Sequence, residues 1–214
     1  MIITTTKPLS EILSNLKQYK KIFVVGCAAC ANKCQTGGEE QVKNTVEWLK
    51  KEGKEVMGSS VLDTPCDMRI VKKDLSKNPQ VMASDVLLVL ACGGGVQAIE
   101  KVIDMPLSPA LNPVFLGSIE RIGIYNEFCS ICGDCILDKT GGICPVTRCA
   151  KSLVNGPCGG AVEGKCEVDP DRDCAWALIF NKLKKTGQKE NIFTELVAPR
   201  NFSKPKKLDN TKKV

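Results

Sequence analysis

Lys21-Ile22-Phe23-Val24-Val25-Gly26-Cys27-Ala28-Ala29-Cys30-Ala31-Asn32-Lys33-Cys34 is the stretch on which the reading of the fold turns. Its first half is a short apolar run of the kind that forms a strand buried on both faces of a parallel sheet. It stops directly in a Cys-x2-Cys-x3-Cys loop, so cysteines sit at the carboxyl end of a strand. Upstream, residues 7–20 place Leu9, Ile12, Leu13 and Leu16 on one face at helical spacing, with Pro8 suited to a first turn. Downstream, Val42, Val46 and Leu49 mark the apolar face of a helix with acidic residues in its first turn and Gly53 to end it.

The unit then repeats. Glu55 to Leu62 reads as a second strand leading to Cys66, and Met68 to Leu75 as a helix ended by Asn78-Pro79. Val86 to Ala91 is the clearest strand, and it runs through Cys92-Gly93-Gly94-Gly95 into a helix carrying Val96, Ile99, Val102 and Ile103. Strands alternating with helices predict an α/β fold: a doubly wound, Rossmann-like parallel sheet in which sites form outside the carboxyl ends of adjacent strands. Cys27, Cys66 and Cys92 each occupy such a position. The three glycines carry only a weak phosphate-binding signal, since they lack the G-x-G-x-x-G spacing. Approach of backbone N–H groups to sulfur, or a tight turn, explains them better. Prolines at 106, 109 and 113 surround a short strand at 114–116, and a domain boundary is expected near residues 117–126.

Beyond it, eight of the thirteen cysteines fall between 129 and 174: Cys129, Cys132, Cys135, Cys144, Cys149, Cys158, Cys166 and Cys174. The Cys129-x2-Cys132-x2-Cys135 opening can turn three sulfurs toward one centre, as a ferredoxin loop does. However, eight residues rather than three intervene before Cys144-Pro145, so the match is to ligand chemistry and not to the ferredoxin fold. The region is rich in glycine and short of apolar runs, so its order is expected to come from metal ligation. Asp171 or Asp173 is suited to cap a closing helix whose face includes Trp176, Ile179, Phe180 and Leu183. The predicted organisation is an α/β domain at 1–122, a cysteine-rich metal-cluster domain at 123–187 and an extension at 188–214. The basic stretch at 203–214 is expected to be disordered.

Composition selects the chemistry. Across 214 residues there is no histidine, which excludes histidine-containing zinc sites, Rieske centres and every histidine-based triad. The first residues show no signal-peptide pattern and no stretch is apolar enough to span a membrane, so a reduced, cytoplasmic setting and metal rather than disulfides are expected. The formal charge of +6 counts thiols as neutral. Each four-thiolate 4Fe-4S site would carry roughly −2, and three would bring the total to about zero, which disfavours nucleic acid as a partner.

Read together, Val25-Gly-Cys-x2-Cys-x3-Cys34, Ala91-Cys-Gly-Gly-Gly-Val-Gln97, Cys129-x2-Cys-Gly-Asp-Cys135, Thr140-Gly-Gly-Ile-Cys-Pro145 and Arg148-Cys-Ala-Lys-Ser-Leu-x-Asn-Gly-Pro-Cys-Gly-Gly160 make the chain resemble a known family. It is similar to the methylenetetrahydrofolate reductase C-terminal domain family, which includes the small iron-sulfur subunit accompanying the flavin-bearing reductase subunit in acetogenic bacteria. The resemblance implies a non-catalytic electron-transfer subunit of an oxidoreductase complex in one-carbon metabolism. Its partner would be the flavin-bearing subunit, with ferredoxin or another redox donor as a further candidate, and this chain itself would hold no flavin.

Three four-cysteine sites are expected, holding two or three 4Fe-4S clusters, with zinc as the competing metal at one of them. The first takes Cys27, Cys30 and Cys34 from one loop, with Cys92 or Cys66 as the fourth ligand. Five candidates for four places leave one spare thiol. The C-terminal eight divide most simply into Cys129, Cys132, Cys135 with Cys144, and Cys149, Cys158, Cys166 with Cys174. The rival functions are a zinc-structured interaction module and an independent ferredoxin-type carrier.

Overall fold

The computed structural model describes residues 1–188 and 196–198. The expected disordered stretch at 203–214, and most of the extension at 188–214, therefore lie outside the described residues. The chain separates into two compact units, Met1–Tyr125 and Asn126–Val214.

In the first unit, β1 (Ile2–Thr6), α1 (Leu9–Asn15), β2 (Lys21–Cys27), α2 (Cys30–Lys33), α3 (Glu39–Lys51) and β3 (Glu55–Leu62) come in order. There follow α4 (Met68–Asp74), α5 (Pro79–Met82), β4 (Val86–Val89), α6 (Gly93–Glu100), β5 (Leu107–Pro109) and β6 (Leu111–Leu116). Strands β3-β2-β4-β5 lie side by side in that order, and all three pairings are parallel. The order reverses between β2 and β4, because the chain leaves β2 for the β3 side and returns to the other. In open parallel sheets the crevice at such a reversal is the usual place for a site.

Helices cover both faces. Side chains alternate along a strand, so Gly26 and Phe23 of β2 face opposite sides. A Cβ at Gly26 would lie 2.5 Å from Val42 on α3, whereas one at Gly58 of β3 would meet both the Phe23 ring at 2.9 Å and Gln80 of α5 at 2.5 Å. The core is continuous from Ile12 to Leu111, and Ile22 to Val25 and Val86 to Val89 are fully buried, as their unbroken apolar runs require.

Local signals explain most boundaries. Gly53, at φ +75°, ends α3, and the next N–H, of Lys54, bonds Leu49. Asp67 and Asn78 cap α4 and α5 through their side chains. Helix α1 is shorter than the periodic stretch, since Leu16 already caps it; Ile12 and Leu16 are buried while Leu9 is half-exposed. The three glycines do not precede α6 but form its first turn, with Cys92 as the N-cap.

Antiparallel pairing of β1 with β6 is a contact between chain segments more than a hundred residues apart, and no local pattern announces it. A short ribbon of β7 (Ser118–Arg121) and β8 (Ile124–Asn126) follows, turning at Gly123, φ +87°.

Among its described residues the second unit has little regular structure: α7 (Pro145–Arg148) and α8 (Ala175–Lys185). Its buried cluster is small, comprising Cys174, Trp176, Ile179 and Leu183. Here two expectations are corrected. Cys174, not an aspartate, occupies the N-cap of α8, because Asp173 is drawn to Lys165 at 2.7 Å and the Asp171 N–H bonds the Asp169 carboxylate. Phe180 turns outward and remains 41% exposed, while Trp176, Ile179 and Leu183 face inward.

Candidate functional site

Three places gather the cysteines, and all thirteen are free thiols. The first is the carboxyl edge of the parallel sheet. Cys27 ends β2 and is buried, Cys30 begins α2, Cys34 caps its end, and Cys92 is the N-cap of α6. Cys66 stands in the turn after β3. Because β3 and β4 are the two neighbours of β2, the Cys66 and Cys92 loops emerge on either side of Cys27. Their approach is close: a Cβ on Gly95 would stand 3.0 Å from Ala91 and 3.3 Å from Pro65, next to Cys66. A side chain at 95 would press these neighbours back by a few tenths of an ångström.

The electrostatics follow from that crowding. Burial pushes the Cys27 thiol above its ordinary value, the N–H groups of Ala31 and Ala29 pull it back, and charge on Cys30 and Cys92 pushes it up again. Cys66 is likewise raised by burial and then by Cys92, with smaller contributions from Cys30 and Asp67. These thiols repel one another as anions, which is the condition a shared cation relieves. Cys34 is placed differently, with its Sγ 3.8 Å from the Ile2 carbonyl of β1.

The loop that presents these thiols is fastened from behind. The Cys27 N–H bonds the Gly37 carbonyl at 2.7 Å and the Ala28 N–H bonds Leu62 at 2.8 Å. The Thr36 hydroxyl bridges the Ala31 carbonyl and the Thr4 hydroxyl. Gly37 lies so close to the Leu90 carbonyl that no side chain fits.

The second place is a pocket walled by Cys129, Cys132, Cys135 and Cys144, together with Ile131, Ile136, Leu137 and Val146. Left-handed backbone at Ile131 (φ +53°) and Gly133 (φ +78°) curls the loop. The Ile131 N–H points at the Cys129 sulfur, 3.4 Å away. Cys144 joins from the N-cap of α7, where Pro145 supplies a preset first turn. The Thr147 hydroxyl ties the segment back to the Phe128 carbonyl at 3.0 Å, and the Arg148 guanidinium lies 5.9 Å over the Phe128 ring.

The third place is a smaller pocket lined by Cys149, Cys158, Cys166 and Cys174, backed by Trp176 and by the Lys151–Glu167 ion pair. Gly156 and Gly159 hold left-handed conformations on either side of Cys158. The Cys166 N–H bonds Arg172 and the Cys174 N–H bonds Gly164, so one irregular hairpin carries both thiols. N–H groups of Val168 and Asp169 lower the Cys166 thiol below its ordinary value. Among the described residues the thiols share pockets without closing to ion-holding distance as groups of three or more.

Sequence reasoning missed the backbone donors Ala29, Ala31, Val168 and Asp169, and the part Pro65 plays against Gly95. An N–H aimed at sulfur leaves no residue-type signature.

Taken together, the fold and its sites define a class: a thiol-rich α/β protein with a second, cysteine-walled unit. Residues 108–203, a little under half of the chain, match the family model described as methylene-tetrahydrofolate reductase C terminal. The resemblance is thus shown over that stretch, which spans all eight C-terminal cysteines and links the chain to methylenetetrahydrofolate reductase. Neither the curated proteins nor the solved structures contain a match to the chain. Among the described residues no helix is long and apolar enough to cross a membrane.

Proposed function

We propose that this chain is an iron-sulfur electron-transfer subunit that exchanges electrons with a flavin-bearing methylenetetrahydrofolate reductase partner. The observation that carries the reading is the sorting of thiols into three places without any histidine, in a chain whose residues 108–203 match the reductase C-terminal family.

The donor set fits 4Fe-4S clusters: all-thiolate, with N–H groups turned toward sulfur at Cys27, Cys129 and Cys166. Cys129, Cys132, Cys135 and Cys144 would hold one group, and Cys149, Cys158, Cys166 and Cys174 another. The first unit, Rossmann-like in this reading, would supply four of Cys27, Cys30, Cys34, Cys66 and Cys92. Such a cluster, when bound, supplies one-electron redox capacity. The chain's own residues set the conditions around it. Ile131, Ile136, Leu137 and Val146 bring apolar surface to the second pocket, the N–H donors offset negative charge on sulfur, and the left-handed glycines let backbone approach closely. A cytoplasmic setting suits so many reduced thiols.

The smaller pocket supports a second reading for itself alone. Its cavity volume is ≈ 20 Å³ against ≈ 200 Å³ around Cys129 to Cys144, a difference that favours a single zinc ion there.

The test pairs composition with turnover. Anaerobically purified chain is analysed for iron, sulfide and zinc, and methylenetetrahydrofolate reduction by reduced viologen is followed with this chain alone, the flavoprotein alone and the two mixed. Iron and sulfide in the chain, with stimulation only in the mixture, is the expected result. Zinc alone, or turnover without flavoprotein, would overturn it.

A further inference from the structure

We propose that the thiolate site of the first unit is made by Cys27, Cys30, Cys66 and Cys92, and that Cys34 lies outside it. The assignment rests on the reading that these thiols hold a metal or cluster, but not on which one. From spacing alone the Cys27-x2-Cys30-x3-Cys34 loop supplies three ligands and leaves Cys66 and Cys92 to compete for the fourth place. Topology points the other way.

Strands β3, β2 and β4 are adjacent and parallel, so their carboxyl ends open on one edge, and the turns carrying Cys66 and Cys92 flank the end of β2 where Cys27 stands. Gly95 lets those two turns close on each other, its missing Cβ leaving room for Pro65 and Ala91.

Cys34 faces elsewhere. Its sulfur meets the carbonyl of Ile2 on β1, a strand that belongs to the separate β1–β6 pair and not to the parallel sheet. The turn behind it is held there. Gln35 is left-handed at φ +55°, and the Thr36 hydroxyl bonds the Thr4 hydroxyl of β1 at 2.7 Å, buried from solvent. That buried bond fastens the turn after Cys34 to β1. Against the carbonyl of another strand the Cys34 thiol is a weak donor in a satisfied place, and in this assignment it serves as a small side chain.

The experiment uses the full chain as purified anaerobically and reads ligation without activity. Timed iodoacetamide alkylation with peptide mass spectrometry is run before and after chelation, with metal analysis alongside, and repeated on Cys34→Ser and Cys66→Ser. In the metal-loaded chain Cys66 is expected to be protected at least tenfold relative to its chelated state, together with Cys27, Cys30 and Cys92. Cys34 should react at the same rate in both. Cys34→Ser should keep the full metal content, and Cys66→Ser should lose that of one site.

Protection of Cys34 in place of Cys66 would overturn the assignment, and because it is read on the unsubstituted chain it holds even if a variant fails to fold. Zinc in place of iron with the same protection pattern would uphold the ligand set while removing the electron-transfer reading. Equal alkylation of all five thiols before and after chelation would overturn the set itself.

Discussion

The two units solve the problem of folding differently. The first buries a continuous aliphatic core, from Ile12 on α1 through the parallel strands to Leu111, beneath helices on both faces of its sheet. The second buries Cys174, Trp176, Ile179 and Leu183, and otherwise runs as turns with left-handed glycines at 133, 141, 142, 156, 159 and 164. Hydrophobic burial contributes roughly 25 cal/mol per Å² of apolar surface, so the first unit can stand on side-chain packing. The second has little such surface among its described residues to offset the ordering of its loops, and in the proposed reading ligation of thiolate makes up the difference. In that reading a cysteine at the first unit's sheet edge decorates a fold, and one in the second is part of what makes the fold.

The largest effect should come from removing metal. Strong chelation is expected to open the chain between 129 and 174 to limited proteolysis while a fragment close to Met1–Tyr125 survives. Equal resistance of both units after demetallation would break the comparison.

Next comes the first core. Leu88 is fully buried in β4, and Leu88→Ala should cost about 3 kcal/mol in the denaturation of the first unit. That loss should be the same with metal bound or stripped, because packing and not ligation is what the side chain supplies. A loss that vanished on demetallation would show the units to be energetically coupled.

A smaller change probes the second cluster. The Trp176 indole N–H donates to the Leu153 carbonyl at 2.9 Å, and Trp176→Phe leaves that acceptor without its partner. A cost of about 1 kcal/mol is expected in thermal melts of the metal-loaded protein. A shift comparable to that of Leu88→Ala would mean that packing matters more in this unit than its small core suggests.

The smallest effect is a pH dependence in the first unit. The Arg69 side chain and N–H hold the Asp67 carboxyl down to about 2. A carboxyl depressed in the folded state stabilises above its unfolded value of about 3.9 and loses that contribution as pH falls toward 2. Melts of the demetallated chain between pH 5 and pH 2 should therefore decline with a component that Asp67→Asn removes. Asp67 caps α4 at the surface, so solvent keeps this component small. An unchanged acid profile in the variant would take Asp67 out of the account.

The sequence was most legible where a pattern is local. Glu55 to Leu62 forms β3 as its composition suggested, the helix after Cys34 ends at Gly53, and the apolar runs at 22–25 and 86–89 form the buried centre of the sheet. The proposed ligand chemistry rests on residue type alone, thirteen thiols without histidine. Loops with left-handed glycine could also be anticipated, since backbone conformation there depends on one residue.

What needed the tertiary structure is everything set by distance along the chain. The pairing of β1 with β6 brings the Ile2 carbonyl to Cys34, and nothing in either segment encodes the other. The strand order puts the Cys66 turn and the Cys92 helix on opposite flanks of Cys27, where spacing had left them as rivals for one place. Likewise Asp173 was a reasonable cap for α8 until Lys165, eight residues earlier, drew it away. Local propensity depends on a residue and its neighbours, and so survives in the sequence; a ligand set depends on which distant turns a sheet places side by side, and only the folded chain decides that.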